Sequence, residues 1–226
     1  MNVEKSGEER IIRSHLQREK AGKLERMRRL NLFARKGQIV FAGSSLMEQF
    51  PINEFLLDYD LPYVIYNRGI GGYTTAEMMD ALQEMVFDLE PRYLFLNIGT
   101  NDLNGSGYIQ EEMIARYEAI LQKIKEKLPQ IQIYLLAYFP VNPDTSNIAW
   151  MAETFRNRTN TRIRAANEAV RELAEKYGAR FANFNRGITD GDGQLKAQYT
   201  IDGIHMYADG YNQVMEQLIP VLKSLQ

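Results

Sequence analysis

The chain has 226 residues, 45% of them hydrophobic and 25% charged, with 27 Lys/Arg against 29 Asp/Glu. That length and mix suit one large soluble domain with a sizeable core, and a net charge of −2 gives no reason to expect a nucleic-acid partner. The absence of cysteine excludes disulfides, thiolate metal sites and a cysteine nucleophile.

The first 36 residues are basic, with 11 Lys/Arg and 5 Asp/Glu. Ile12, Leu16, Leu24, Met27 and Leu30 fall near helical spacing, and the stripe is interrupted at Glu19 and Lys20. The segment reads as a helical extension, 1–36, packed on the outside of its own domain with a solvated basic face. Docking onto a second copy, giving a homo-oligomer, is the alternative, and attachment to a membrane surface is a weaker one. Nothing in this stretch has the apolar run of a signal peptide, and no segment is long and apolar enough to span a membrane. A cytoplasmic location is the default expectation. His15, within this basic segment, is assigned no role.

From Gly37 onward short apolar runs alternate with amphipathic stretches. "QIVFAG", "YVIYN" (63–67), "YLFLNIG" (93–99), "IQIYLLAY" (131–138) and "ARFANF" (179–184) read as buried strands. Helical patterns occupy 74–88, 108–127, 157–177 and 207–225. Strands alternating with helices predict an α/β fold with a five-stranded parallel sheet covered on both faces, as a single domain over 37–226. In such a sheet ligands gather beyond the carboxyl ends of the strands. The segments there are "GSSLM", "NRGIGGYTT", "GTNDLNG", "FPVNPD" and a loop that delivers "IDGIH".

Those loops carry the parts that nucleophilic ester chemistry needs. A serine hydroxyl requires a base within hydrogen-bond reach, a group that orients the base, and donors aimed at the developing oxyanion. Ser45 follows the first strand through a turn at Gly43. Asp202 and His205 lie close enough for the carboxylate to accept from the imidazole. Gly72 can present an unobstructed backbone N–H, and Asn101 a carboxamide. Each piece has an ordinary alternative: a lone D-x-x-H is more often a capped turn, Ser44 and Ser45 suit a helix N-cap, and "TNDLNG" suits an Asx-rich turn. "GIGG" lacks the third glycine of a dinucleotide fingerprint, since Thr74 stands there. "DGDG" (190–193) is followed by Ile201 where a calcium loop needs Glu.

Taken together, "VFAGSSLME", "NRGIGGYTT", "NIGTNDL" and "DGIHMYADGY", in that order, resemble the sequence blocks of the SGNH (GDSL-type) hydrolases, a family of serine esterases and lipases. The resemblance covers nearly all of 37–226. It implies a flavodoxin-like three-layer α/β/α sandwich, Ser45 as nucleophile, His205 as base and Asp202 as its orienting acid. The oxyanion hole it implies is the backbone N–H groups of Ser45 and Gly72 with the Asn101 side chain, and it implies neither cofactor nor metal. One position departs from the pattern: Ser44 stands where the family usually has an acid. A non-catalytic binding module that keeps the fold is the alternative reading. Leu46, Tyr73, Leu103 and Ile204, the apolar neighbours of these groups, are expected to bound a small pocket that favours acetyl to butyryl esters. The connection 140–156, with Trp150, is a candidate lid, with ordinary packing against the sheet as the alternative.

Overall fold

The computed structural model describes residues 2–146, 148 and 151–225; Trp150 lies outside them. Five strands, β1 (Ile39–Gly43), β2 (Ile65–Gly69), β3 (Tyr93–Asn97), β4 (Gln132–Leu136) and β5 (Arg180–Ala182), form one parallel sheet in the order β2-β1-β3-β4-β5. The helices are α1 (Asn2–Asn31), α2 (Ser45–Glu48), α3 (Ile52–Asp58), α4 (Thr75–Asp80), α5 (Leu82–Met85), α6 (Gln110–Lys127), α7 (Met151–Asn157), α8 (Asn160–Lys176) and α9 (Ala208–Lys223). No helix among the described residues is long and apolar enough to cross a membrane.

The period-two alternation of the strands divides the core. Val40, Ala42, Leu94, Leu96, Ile133 and Leu135 face one layer, filled by side chains of α4, α5, α6 and α8. Phe41, Phe95, Tyr134 and Leu136 face the other, filled by α3 and α9. On that side Phe95 stacks on Tyr134 with ring centroids 4.5 Å apart. Strands buried on both faces carry near-continuous apolar runs, so β1, β3 and β4 are prominent in the sequence. β2 is an edge strand. It starts two residues later than the apolar run suggests and includes Asn67 and Arg68, whose side chains donate to Met47 O and to Asn31 Oδ1.

The helix expected over 74–88 is broken. Thr74 caps α4 through a reciprocal capping box with Glu77. Ala81 then leaves helical dihedrals (φ −106°, ψ 10°), and α5 and a short 3-10 turn follow. Leu82, Met85, Val86 and Leu89 still reach the core, so the apolar spacing survives the break.

Helix α1 is seated on the domain through its C-terminal half. Leu24 and Met27 pack against the core, Asn31 Nδ2 donates to Glu84 O at 2.8 Å, and Arg28 pairs with the largely buried Glu84. Ile11, Ile12 and Leu16, nearer its start, are 50% exposed or more. Because β1 lies between β2 and β3, the sheet reverses direction of growth there, and the crevice at this switch point is where the loops after β1, β2 and β3 converge.

Candidate active site

The turn after β1 decides which serine is presented. A Cβ on Gly43 would lie 2.1 Å from the Asn97 carbonyl oxygen, and its φ is +153°, so only glycine lets β1 and β3 approach this closely before the chain turns. The next residue, Ser44, is fully buried, and its Oγ has no hydrogen-bond partner among the described residues. Ser45, the first residue of α2, projects into the crevice.

His205 meets it from the loop after β5. Ser45 Oγ lies 2.9 Å from His205 Nε2, and His205 Nδ1 lies 2.7 Å from Asp202 Oδ2. An ionised carboxylate only accepts, so the ring proton belongs on Nδ1 and the Nε2 lone pair faces the serine hydroxyl. The other Asp202 oxygen accepts from the backbone N–H groups of Ile204 (2.9 Å) and His205 (2.8 Å). One carboxylate therefore both caps the turn and orients the ring, so the two readings of D-x-x-H are compatible. Burial pushes the Asp202 carboxyl up; the hydrogen bonds from the His205 ring and from the His205 and Ile204 N–H groups outweigh it and hold the group below its ordinary range. The turn is braced further by Thr200 Oγ1, which accepts from Gly203 N, and by Gly203 O, which accepts from Asn142 N.

Gly72 and Asn101 reach the same crevice. The Ser45 N–H is at the start of a helix and has no intrahelical acceptor, and neither it nor the Gly72 N–H donates to another described group. The Asn101 carboxamide is held at both ends: Nδ2 donates to Tyr73 O at 2.9 Å, and Oδ1 accepts from Arg158 at 2.7 Å. A guanidinium can only donate, so this fixes which end of the amide is nitrogen and leaves one further N–H for the cleft. Asp102 ties the same loop to α4 by accepting from the backbone N–H and hydroxyl of Thr75.

The crevice opens into a cavity of about 800 Å³ lined by Ser45, Gly72, Asn101 and His205. Of the four apolar residues expected to bound it, only Ile204 does. Leu46, Tyr73 and Leu103 are 2%, 5% and 0% exposed and belong to the core. Leu46 follows Ser45 and Tyr73 follows Gly72, but successive side chains leave the backbone in different directions, so the neighbour of a residue facing the cleft points inward; Leu103, two residues past Asn101, is carried into the core by the short turn over Asp102–Asn104. The wall mixes charged side chains, Lys20, Lys23, Glu48, Glu77 and Arg158, with the apolar Leu16, Met151 and Ile204, and more of its surface is carbon than polar atoms. Met151, on α7, belongs to the connection read as a candidate lid.

Sequence reading did not find Arg158. It is 4% exposed, donates to Asn104 Oδ1 at 2.9 Å as well as to Asn101, and has no carboxylate within ion-pair distance among the described residues. Burial pushes its guanidinium down to about 10, opposed by the charge of Asp202, which leaves it protonated at neutral pH. In "FRNRTN" nothing distinguishes the buried arginine from Arg156. Lys20 and Lys23 were also missed, although the break at Glu19 and Lys20 in the apolar stripe of α1 was a signal that a charged side chain faces the domain.

The arrangement has counterparts. A profile of the GDSL-like Lipase/Acylhydrolase family matches residues 53–213. Platelet-activating factor acetylhydrolase IB subunit alpha1 of Bos taurus is 25% identical over 189 residues, 83% of this chain and 76% of that protein. A solved structure from Streptococcus pneumonia whose description refers to a platelet activating factor superposes with a TM-score of 0.85 at 30% identity, covering 96% of this chain and 99% of that one. The acetylxylan esterase Axe2 of Geobacillus stearothermophilus shares the fold, with a TM-score of 0.62 at 14% identity over 83% of this chain and 95% of that one. The chain belongs to the GDSL-like Lipase/Acylhydrolase family, the SGNH hydrolases, and is an enzyme that hydrolyses carboxylic esters.

Proposed function

We propose that the protein is a serine esterase that removes short acyl groups from a polar alcohol through an acyl-enzyme on Ser45. The observation that carries this reading is the unbroken relay from Ser45 Oγ through the His205 ring to Asp202, at 2.9 and 2.7 Å. Ser45 Oγ attacks the ester carbonyl carbon as its proton passes to His205 Nε2, and Asp202 stabilises the resulting imidazolium. The carbonyl oxygen becomes an oxyanion that accepts from the Ser45 N–H, the Gly72 N–H and Asn101 Nδ2. The intermediate collapses, the bond to the alcohol oxygen breaks, and His205 returns the proton to that oxygen. Water then attacks the acyl-enzyme with His205 again as base, releasing the carboxylic acid and restoring the serine.

The cavity's chemistry supports a short acyl group, although its size does not. A long acyl chain needs a continuous apolar groove, and this wall sets Leu16, Met151 and Ile204 among Lys, Glu, Asn and Arg side chains. The same wall suits a polar alcohol, such as a sugar or a lysolipid headgroup. Two related proteins are named for acetyl-ester cleavage, the bovine acetylhydrolase and the acetylxylan esterase. A series of p-nitrophenyl esters tests the reading with wild type and Ser45→Ala. Acetyl to butyryl esters should be cleaved fastest, and Ser45→Ala should lose on the order of 10³-fold or more in kcat. A kcat/KM that climbs steadily from acetyl to palmitoyl would overturn the short-acyl assignment. A fluorophosphonate label found on a residue other than Ser45 would overturn the choice of nucleophile.

A further inference from the structure

The basic N-terminal helix does more than cover the domain. Lys20 and Lys23 are three residues apart and therefore share a face of α1. Lys20 Nζ donates to Gly72 O at 2.8 Å and to Glu77 Oε1 at 2.6 Å. Lys23 Nζ pairs with Glu48 Oε1 at 2.8 Å, and the other oxygen of Glu48 accepts from Gly71 N at 2.7 Å. The two lysines thus hold the Gly71–Gly72 turn from both sides, one directly and one through Glu48. Glu48 is on α2, the helix that begins with Ser45, so this second path also ties the turn to the serine's own helix.

The turn needs such a hold. Two successive glycines restrict the backbone very little, and Gly72 sits at φ +75°. Its N–H points usefully only while that conformation persists. The fit is close: a Cβ on Gly72 would meet Lys20 Cε at 3.1 Å, and one on Gly71 would meet Glu48 Oε2 at 2.7 Å. Lys20 is itself fixed by Glu77, which belongs to the capping box of α4, and its ammonium lies 5.5 Å from the centre of the Tyr73 ring. The clamp is therefore anchored in α4, which follows the turn, and in α2, which begins with Ser45.

We propose that Lys20 and Lys23 are positioning residues of ester hydrolysis, with α1 clamping the Gly71–Gly72 turn so that the Gly72 N–H stays aimed at the developing oxyanion. The inference rests on Gly72 being an oxyanion donor, as argued above. A basic helix that lies outside the span matched by the family profile, 53–213, is on this account a working part of the catalytic centre.

The test compares wild type with Lys20→Met, Lys23→Met and the double variant. Methionine keeps the apolar stem and removes the ammonium. An interaction that matters only as the oxyanion forms lowers kcat and leaves KM nearly unchanged. Each single variant should lose roughly tenfold in kcat on p-nitrophenyl acetate and the double variant up to about 100-fold, bounded by the ~10²–10³ that follows loss of a whole oxyanion donor. Binding of a boronic acid, which forms the tetrahedral adduct, should weaken in parallel, and hydrogen exchange over residues 69–74 should quicken. Lys20→Arg, which retains charge and donors, should recover most of the loss. A double variant with kcat within about twofold of wild type overturns the clamp. So does a rise in KM at constant kcat, which would make α1 a substrate-binding wall only. Where the double variant does not fold, the single variants and Lys20→Arg decide by the same criteria. Ser45→Ala, assayed alongside, separates the two levels. If it stays active, the serine mechanism beneath the clamp fails; if it is dead while the lysine variants are normal, only the clamp fails.

Discussion

Arg158→Met is the substitution whose effect the structure specifies most closely. The guanidinium makes charge-assisted hydrogen bonds to Asn101 Oδ1 at 2.7 Å and Asn104 Oδ1 at 2.9 Å. Bonds of this kind stabilise by about 1.5–3 kcal/mol each. Against them stands burial, which pulls the guanidinium down to about 10 and so penalises its charged form. Burial offsets part of that gain, so Arg158→Met should lower stability by about 1–3 kcal/mol, within the usual range for a buried substitution. Its effect on catalysis should be larger than this suggests. Without Arg158 the Asn101 amide is held only by Tyr73 O and is free to turn, which offers the oxyanion an oxygen instead of an N–H. Complete loss of such a donor costs about 10²–10³ in kcat, so a partly disordered amide should cost about 10–100-fold, with KM little changed. Steady-state kinetics on p-nitrophenyl acetate with urea unfolding on the same preparations measures both quantities. Arg158→Lys should not rescue, because an ammonium lacks the planar fork that spans two acceptors. The reasoning is refuted if Asn101→Ala loses at least 100-fold while Arg158→Met stays within about twofold of wild type.

Asp202→Asn should cut kcat by about 10⁴ with the fold intact, because an amide at this position favours the wrong imidazole tautomer; kinetics beside a near-ultraviolet spectrum would show it. The same substitution tests a linkage. The folded protein holds the Asp202 carboxyl below its unfolded value, so its contribution to stability is complete above about pH 3.9 and is lost as pH falls through the lower folded value. Unfolding followed from pH 5 downward should therefore show a flatter acid limb in Asp202→Asn than in wild type. Ser44→Ala should keep most activity and raise stability by about 1 kcal/mol, because the Ser44 hydroxyl is buried without a described partner; a large loss of activity would refute the assignment of Ser45 alone to the chemistry.

By itself the sequence determined the α/β class, the parallel sheet and the order of its strands along the chain. The warrant was local: strands buried on both faces must be apolar throughout, and the helices between them must show a 3.6-residue stripe, so β1, β3, β4, α6 and α8 could be read directly. The residues of the relay were legible as well, since Gly43-Ser44-Ser45 and Asp202-to-His205 are short motifs whose chemistry and spacing lie within a few residues. Tertiary structure alone decided that Ser45, 160 positions from His205, lies 2.9 Å from it while Ser44 turns into the core. It also decided that Leu46, Tyr73 and Leu103 face away from the cleft, that Arg158 fixes the Asn101 amide, and that Lys20 reaches Gly72 from 52 residues away. Local sequence sets which backbone conformations are cheap, and it carries that information in neighbouring residues. Contacts between distant segments depend on how whole elements pack, and a lysine or arginine held in a cleft has the same letter and much the same neighbours as one in open solvent.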